Sequence, residues 1–439
     1  MKDDALALVK KTIKKWPAYR RFIESRGVVL SKIEDISDLP VIDKRFISQA
    51  IHTVPLFKIK NILPSSGSTG ADFAFGLFGD TDLKKTSSAI EEFLRSNFNI
   101  ESKKTLILNL LPGAISLRFA DAAVANIGIR TDTAIYAIKS LGSSFEQILL
   151  IGEPLFIKDL IEAGMEHSIL WRYMHVSVIV GGEWISEGYR NYLEGMIGGN
   201  RVYSSMGMAE LGLHYFYETD ETIMLRNLLF EDGRFFKALF GDINFCPMIF
   251  AYNEENVYVE TIKEPLEEFE SILLTTTDQS RVLPLIRYKG GDKGMKLCRA
   301  DINNGLRALG YGALLGMDGP PLLAHFGRGK NIARIYAEEI KDIVYSSAEV
   351  ASKTTGNFAL SGNKGAMELA IQLKAGIFPD DRIKDMFCDL FGRIPAYIKL
   401  YPFSRFPYPL NFERKVCYVD ESNNRAERTR EEIKLQAAV

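Results

Sequence analysis

The chain has 439 residues, 46% apolar and 25% charged, with Lys+Arg 54 against Asp+Glu 56 and a net charge of −2. Such a balance excludes nucleic-acid or membrane-surface binding as the default, and the length suits two or three domains with room for a cleft between them. The four cysteines (Cys246, Cys298, Cys388, Cys417) lie apart and the five histidines show no HExxH or Cys/His spacing, which points to reduced thiols and away from a clustered zinc site.

In chain order, MKDDALALVKKTIKKW reads as a charged amphipathic helix rather than a secretory leader. No apolar run reaches spanning length, so a cytoplasmic location is expected. Residues 1 to about 58 read as helical, with Trp16, Tyr19 and Phe22 as a core stripe and a helix capped near Asp43. Thr81 to Asn97 reads as an amphipathic helix and Thr105 to Leu111 as a buried strand. Ala120 to Ile127 reads as helical, Ala134 to Ile138 as extended, Ser144 to Leu150 as helical or mixed, and Phe156 to Ala163 as helical. Val176 to Val180 is a fully buried strand ending in Gly181-Gly182. Alternation of this kind predicts parallel α/β layering, with ligands at the C-terminal ends of strands.

From about 222 to 325 short β-like runs predict a β-rich subdomain, with Ile249 to Tyr252, Val257 to Glu260 and Ile272 to Thr275 as strands. Beyond a boundary near Gly327 a small α+β unit is expected: a helix over Ala337 to Tyr345, a strand over Ala366 to Leu373, a helix over Asp380 to Phe391 and a strand over Ala396 to Leu400. The charged stretch Glu421 to Leu435 reads as helical.

Five stretches carry chemistry. Pro64 to Gly70, PSSGSTG, has the composition of a phosphate cradle, glycines allowing close backbone approach and hydroxyls donating; by itself it also fits a surface loop. GGEW, Gly181 to Trp184, leaves room for a flat ring and equally fits a strand-ending turn. YSSMGMAELG, Tyr203 to Gly212, delivers Glu210, either a helix-start acid or the single carboxylate that Mg²⁺ takes beside water and phosphate. PLIRYKGGDKG, Pro284 to Gly294, carries Asp292, an acceptor suited to a ribose diol, in what also reads as a hairpin turn. HFGRGKN, His325 to Asn331, places Arg328 and Lys330 at the inferred boundary. A Walker loop is excluded, because GSTGADF lacks its GK[ST].

Taken in order, these stretches resemble the adenylate-forming (acyl-CoA synthetase/luciferase-type) superfamily, and within it the phenylacetate–CoA ligase-like branch. PSSGSTG is similar to that family's SSGTTG loop and PLIRYKGGD to PLIRYRTGD. VIVGGEWISEGYRNYLEGMIGGNRVYSSMGMAELG is similar to its Gly-Gly-Glu turn, helix and Tyr-Gly-x-Ser/Thr-Glu turn, and GRGKNIARIYAEEI to its hinge and following helix. The resemblance runs from about Leu39 to Val419. It implies an α/β fold: a large N-terminal adenylation domain of layered sheets and helices (1–326) and a small mobile α+β C-terminal domain (327–439) that rotates about a hinge at Lys330.

It further implies that Ser65, Ser66, Gly67, Ser68, Thr69 and Gly70 wrap the ATP phosphates. Gly182, Glu183, Met206 and Gly207 lie at the adenine and acyl pocket, Glu210 holds Mg²⁺, and Asp292 and Arg328 grip the ribose. Lys415, in NFERKVCYVDE, falls where the family keeps the lysine that bonds the carboxylate and α-phosphate.

The implied activity is a cytoplasmic ATP- and Mg²⁺-dependent carboxylic-acid ligase that forms an acyl-adenylate and passes the acyl group to CoA, a protein or acyl-carrier thiol, or an amine. Several residues depart from the family pattern. Asp72 follows the loop, Met206 replaces Tyr, Ala209 replaces Ser/Thr, Gly290 replaces Thr, and Glu413-Arg414 stand for Ser-Gly before Lys415. Those departures sustain an alternative, a catalytically impaired protein that binds an aromatic or acyl ligand; Phe73, Phe75, Phe78 and Trp184 would suit its apolar pocket.

Overall fold

The computed structural model describes residues 2–64, 75–113, 115–199, 201–363 and 366–420. The readings placed on Ser65 to Gly70, on Asp72 and Phe73, and on Glu421 to Leu435 lie outside them. Among the described residues, no helix is long and apolar enough to cross a membrane, and all four cysteines are free.

An eleven-stranded sheet forms the centre. Its order is Val257–Ile262, Ser271–Thr276, Tyr288–Leu297, Leu322–His325, Met248–Tyr252, Gly212–Tyr217, Val202–Met208, Val176–Gly181, Gln147–Gly152, Thr105–Leu110 and Ala123–Asn126. From Val202–Met208 to Ala123–Asn126 neighbouring strands pair in parallel, and every residue of Thr105–Leu110 and Gln147–Gly152 is buried. Unbroken apolar runs there follow from layers covering both faces of a parallel sheet. The strands between 248 and 325 continue the same sheet antiparallel.

Several local expectations are corrected. Ala120 to Ile127, read as helical, holds the edge strand Ala123–Asn126, paired with Leu106 to Asn109. Ala134 to Ile138, read as extended, lies inside the helix Thr131–Leu141, where Ala134, Ile135 and Ile138 form the buried face. Ser144 to Leu150 gives way to the strand Gln147–Gly152, seated by Gln147, whose amide donates to the Phe98 carbonyl at 2.8 Å and to Thr105 Oγ1 at 2.7 Å. Thr222 to Phe240, read as β-like, folds as the helices Asp220–Glu231 and Gly233–Phe240, the first capped by Thr219 and the second by Asp232. Packing and caps override weak local propensity at each of these places.

The N-terminal helices behave as expected. Trp16 stacks on Tyr19, both meet Phe46 edge-on, and Asp43 caps Lys44–Ala50 by accepting from the Phe46 N–H. The segment ahead of that helix is strapped to the sheet: Ile42 N–H donates to the Arg287 carbonyl and the Lys289 N–H to the Ile42 carbonyl, while the Arg287 guanidinium donates to the carbonyls of Ser37 and Leu39. This strap decides where Lys44 sits.

A second sheet of three strands, Thr354–Asn363, Ala366–Leu373 and Tyr397–Tyr401, follows the helix Ala337–Ser346 and is flanked by Asp381–Phe391. It docks on the helix Pro154–Glu166. Lys158 Nζ donates to the Thr354 carbonyl at 2.8 Å and Lys374 Nζ lies 2.6 Å from Glu162 Oε2. Within Ala337–Ser346, burial pushes the Asp342 carboxyl up to about 7, against the pull of Arg226.

A folded-state pKa above the unfolded value contributes stability that is complete below about pH 4 and is lost as pH rises through about 7. Asp342→Asn keeps an acceptor for the Cys246 backbone N–H and removes the titration. Its urea midpoint is expected to exceed the wild type's at about pH 8 and to match it near about pH 4. Parallel profiles across that range would rule the assignment out.

Candidate active site

The C-terminal ends of four parallel strands open into one cavity of about 920 Å³. Thr105–Leu110 leads to Leu111 and Pro112, Gln147–Gly152 to Glu153, Val176–Gly181 to Gly182 and Glu183, and Val202–Met208 to Ala209 and Glu210, all of which line it. That is where a parallel sheet leaves a crevice, because the covering helices diverge from the strand ends. Gly182 sits at φ +92°, a conformation open to glycine and closed to most side chains, so the turn exposes Glu183 to the cavity.

Every sequence-derived site residue within the described range reaches this one cavity: Gly182, Glu183, Met206, Gly207, Glu210, Asp292, Arg328, Lys330 and Lys415. Leu63 and Pro64, which lead into the Ser65 to Gly70 loop, also line it. Trp184 does so as well, whereas Phe75 is exposed and Phe78 packs beneath Arg281, neither lining the cavity.

Asp292 lies inside the strand Tyr288–Leu297, not in a hairpin turn. Burial opposes its ionisation, but Arg328 Nε at 3.0 Å and the nearby His325 hold the carboxyl below the usual carboxylate range. Arg328 also donates to the Gly290 carbonyl at 2.8 Å. The turn before it is locked by Gly327, at φ +72°, where a Cβ would lie 1.9 Å from Glu338 Oε1. Burial pushes the Glu338 carboxyl up to about 7, although it accepts the Arg328 backbone N–H.

Glu183 is partly buried at the cavity wall. Burial alone would raise its pKa, yet Lys341 and Lys415 hold it below the usual value; Lys341 Nζ lies 3.2 Å from Glu183 Oε2, donates to the Trp184 carbonyl at 3.2 Å and sits 4.0 Å over the Tyr418 ring. Lys415 comes in on the chain next to Tyr418, its ammonium pKa lowered by burial and by Arg328, and raised in turn by Glu183 and Asp292. Glu413, one of the departures before it, accepts the Gly113 N–H at 2.9 Å and so ties the lysine's loop to the end of Thr105–Leu110.

Glu210 is buried and its Oε1 has no hydrogen-bond partner; Lys44 Nζ approaches it at 3.9 Å. Arg281 donates to the Glu210 carbonyl at 3.2 Å and to the Tyr215 hydroxyl at 2.6 Å, fixing the turn. Among the described residues no group of three or more His, Cys, Asp or Glu could hold a metal alone. One buried carboxylate with an oxygen free of hydrogen bonds fits an ion such as Mg²⁺, which takes the rest of its shell from phosphates and water. Lys44, Lys341, Arg281 and His325 were not found from sequence. Lys44 and Lys341 sit in ordinary amphipathic helices and Arg281 in a segment without a motif of its own, so no local signal marks them, while His325 opens the HFGRGKN stretch but was given no role there.

No protein-family model and no curated protein sequence matches the chain. Among solved structures it is similar to 2-hydroxyisobutyryl-CoA ligase in the postadenylation state with 2-HIB-AMP, at 15% identity and TM-score 0.66, covering 97% of this chain and 91% of that one. The same ligase in the thioesterification state, with 2-HIB-AMP and CoA, gives TM-score 0.55 at 15% identity, covering 98% and 92%. The anthranilate-CoA ligase AuaEII with anthranoyl-AMP gives 0.50 at 12% identity, covering 87% and 68%.

The chain therefore has the fold of the adenylate-forming acyl-CoA ligases. It carries that fold over nearly its whole length, as a mixed α/β structure with a large central sheet followed by a small α+β unit.

Proposed function

We propose that this chain is a ligase of the phenylacetate–CoA ligase-like branch that activates a carboxylic acid with ATP, releases pyrophosphate, holds the acyl-adenylate and passes the acyl group to CoA. The observation that carries this reading is the meeting of Glu183, Glu210, Asp292, Arg328 and Lys415 in one cavity at the strand ends, from positions up to 232 residues apart (415 − 183). Fifteen-per-cent relatives with the same fold are named as CoA ligases holding adenylates, and that supports the class of chemistry.

In the proposed reaction an oxygen of the substrate carboxylate, already ionised at neutral pH, bonds to the α-phosphorus as the bond to the pyrophosphate oxygen breaks. No protein base is needed, so the chain's work is positioning and charge stabilisation. Lys415 supplies a cation between the reacting carboxylate and the α-phosphate. Asp292 accepts from the ribose hydroxyls, with Arg328 fixing its orientation. Gly182, Glu183, Met206 and Gly207 border the adenine, and Ser65 to Gly70 wrap the β- and γ-phosphates. Lys44, beside Glu210, adds positive charge at the phosphate end.

Glu210 would hold Mg²⁺, which when bound neutralises phosphate charge. The small unit after Gly327 would turn about Lys330 to admit the thiol. The better superposition on the postadenylation state than on the thioesterification state supports reading this arrangement as the one that serves adenylation.

The test is ATP–pyrophosphate exchange with a panel of carboxylic acids and no CoA. Acid-dependent exchange is expected, and Glu210→Gln should lower it about 10²- to 10³-fold if that carboxylate organises the phosphates in the transition state. Acid binding without exchange would instead point to a protein that retains the cleft to sequester a ligand.

A further inference from the structure

The cavity has two chemically distinct ends. Asp292, Arg328, Lys330, Lys44 and Glu210 gather at one, which suits a nucleotide triphosphate. The other is walled by Ile90, Phe93, Leu94, Ile151, Ile179 and Leu213, side chains of a second hydrophobic cluster on one face of the sheet. Among the described residues this wall carries no charged group. Glu153, the nearest carboxyl in sequence to Ile151, is turned to its own helix by accepting the Phe156 N–H at 2.9 Å, and its charged neighbours are Glu183 and Lys341. A second carboxylate or an ammonium on the acyl body would enter this branch without a counter-ion, at the cost of its desolvation.

One polar pair interrupts the apolar wall. Ser205 and His214 both line the cavity, and Ser205 Oγ lies 2.9 Å from His214 Nδ1. The His214 ring is stacked on Tyr217 at 5.0 Å and set against Phe93 at 4.4 Å, so its orientation is clamped. Its backbone sits at φ +58°, a left-handed conformation uncommon outside glycine, and such strain gathers at functional positions. Nε2 has no hydrogen-bond partner. Burial holds the ring neutral, its pKa lowered to about 3. A neutral imidazole whose Nδ1 is engaged offers either a donor or an acceptor at Nε2 according to tautomer, and a hydroxyl group satisfies both.

We propose that the acid activated here has an uncharged, mainly apolar acyl body bearing a hydroxyl group, and that His214, oriented by Ser205, is the residue that selects it. The inference rests on the ligase reading and deepens it by naming the substrate class.

The experiment is pyrophosphate exchange with matched acids: benzoate, phenylacetate and octanoate, each beside its ring- or chain-hydroxylated counterparts, with phthalate and adipate as doubly charged probes. At least one hydroxylated acid should exceed its parent in kcat/KM by about tenfold to a hundredfold, since the parent leaves a buried polar atom unpaired, and the dianions should be poor. His214→Asn tolerates the left-handed backbone but cannot reach the same point, so the hydroxyl preference should fall towards one. Ser205→Ala keeps the ring and frees Nδ1, and should reduce the preference by a smaller factor. Thermal midpoints and the KM for ATP report whether each variant keeps its fold and nucleotide end.

A hydroxyl preference unchanged in both variants, no hydroxyl preference in the wild type, or dianions accepted as well as the uncharged bodies would overturn this inference alone. Exchange with no acid at all would overturn the ligase reading and this inference with it.

Discussion

Replacing Lys415 with alanine is expected to lower acid-dependent pyrophosphate exchange by about 10²- to 10³-fold, the scale seen when one preorganised transition-state donor is removed. The Lys415 ammonium has Glu183, Arg328, Asp292 and Lys44 as its charged neighbours. A cation already fixed among these groups meets the developing phosphate charge without reorganisation at the moment of reaction. The same variant should form thioester from a preformed acyl-adenylate far less impaired, because that step does not create the charge Lys415 meets. Lys415→Arg is not expected to restore exchange, since a planar guanidinium cannot occupy the space of a compact ammonium. Exchange within a few-fold of wild type in Lys415→Ala would remove the lysine from the reaction and leave Glu413, bonded to Gly113, as the reason this loop lies in the cavity.

The second large effect lies beneath the site. Arg190→Met is expected to destabilise the fold by about 3–5 kcal/mol, read as a lower urea midpoint with unchanged slope. Glu187, Arg190, Glu218 and Arg226 form a wholly buried quartet of two acids and two bases. Arg190 Nε lies 2.9 Å from Glu187 Oε2, Arg190 Nη2 2.7 Å from Glu218 Oε1, and Arg226 Nη1 2.7 Å from Glu187 Oε1.

Further hydrogen bonds tie the quartet to the backbone around it. Glu218 Oε2 accepts the Ser204 N–H at 2.7 Å, and Arg226 donates to the carbonyls of Ile185 and Pro247. Removing one cation leaves Glu218 short of a partner in a dry interior, and that uncompensated charge is the source of the cost. Against a total stability of about 5–15 kcal/mol typical of domains, the loss is large. Because the quartet joins the helix after Glu183 to the strand before Glu210, the variant should also bind nucleotide more weakly at temperatures where it remains folded. A shift below about 1 kcal/mol would mean that water or a rearranged Arg226 takes over the pairing.

What could be read from the chain follows from what the backbone demands locally. Thr105 to Leu111 and Val176 to Val180 are legible as strands because a parallel sheet covered on both faces requires unbroken apolar runs. Asp43 is legible as a cap, and Ala337 to Tyr345 as a helix, because capping and a 3.6-residue apolar period are properties of neighbouring residues. The order of Gly182, Glu183, Glu210, Asp292, Arg328 and Lys415 along the sequence carried the resemblance to the adenylate-forming ligases, and with it the expectation of an α/β fold.

The rest was settled only in three dimensions. Ile135 and Ile138 belong to a helix, and Ala123 to Asn126 to an edge strand, because of what packs against them, and short segments of mixed propensity take whichever form their neighbours bury. Lys44 reaches Glu210 through a strap held by Arg287, Lys341 reaches Glu183 across 158 residues (341 − 183), and His214 meets Ser205 and Phe93 from a neighbouring strand and a distant helix. Charge pairing and ring clamping depend on distance in space, which neither period nor composition encodes, so the partners that tune this site became visible only once the sheet had brought them together.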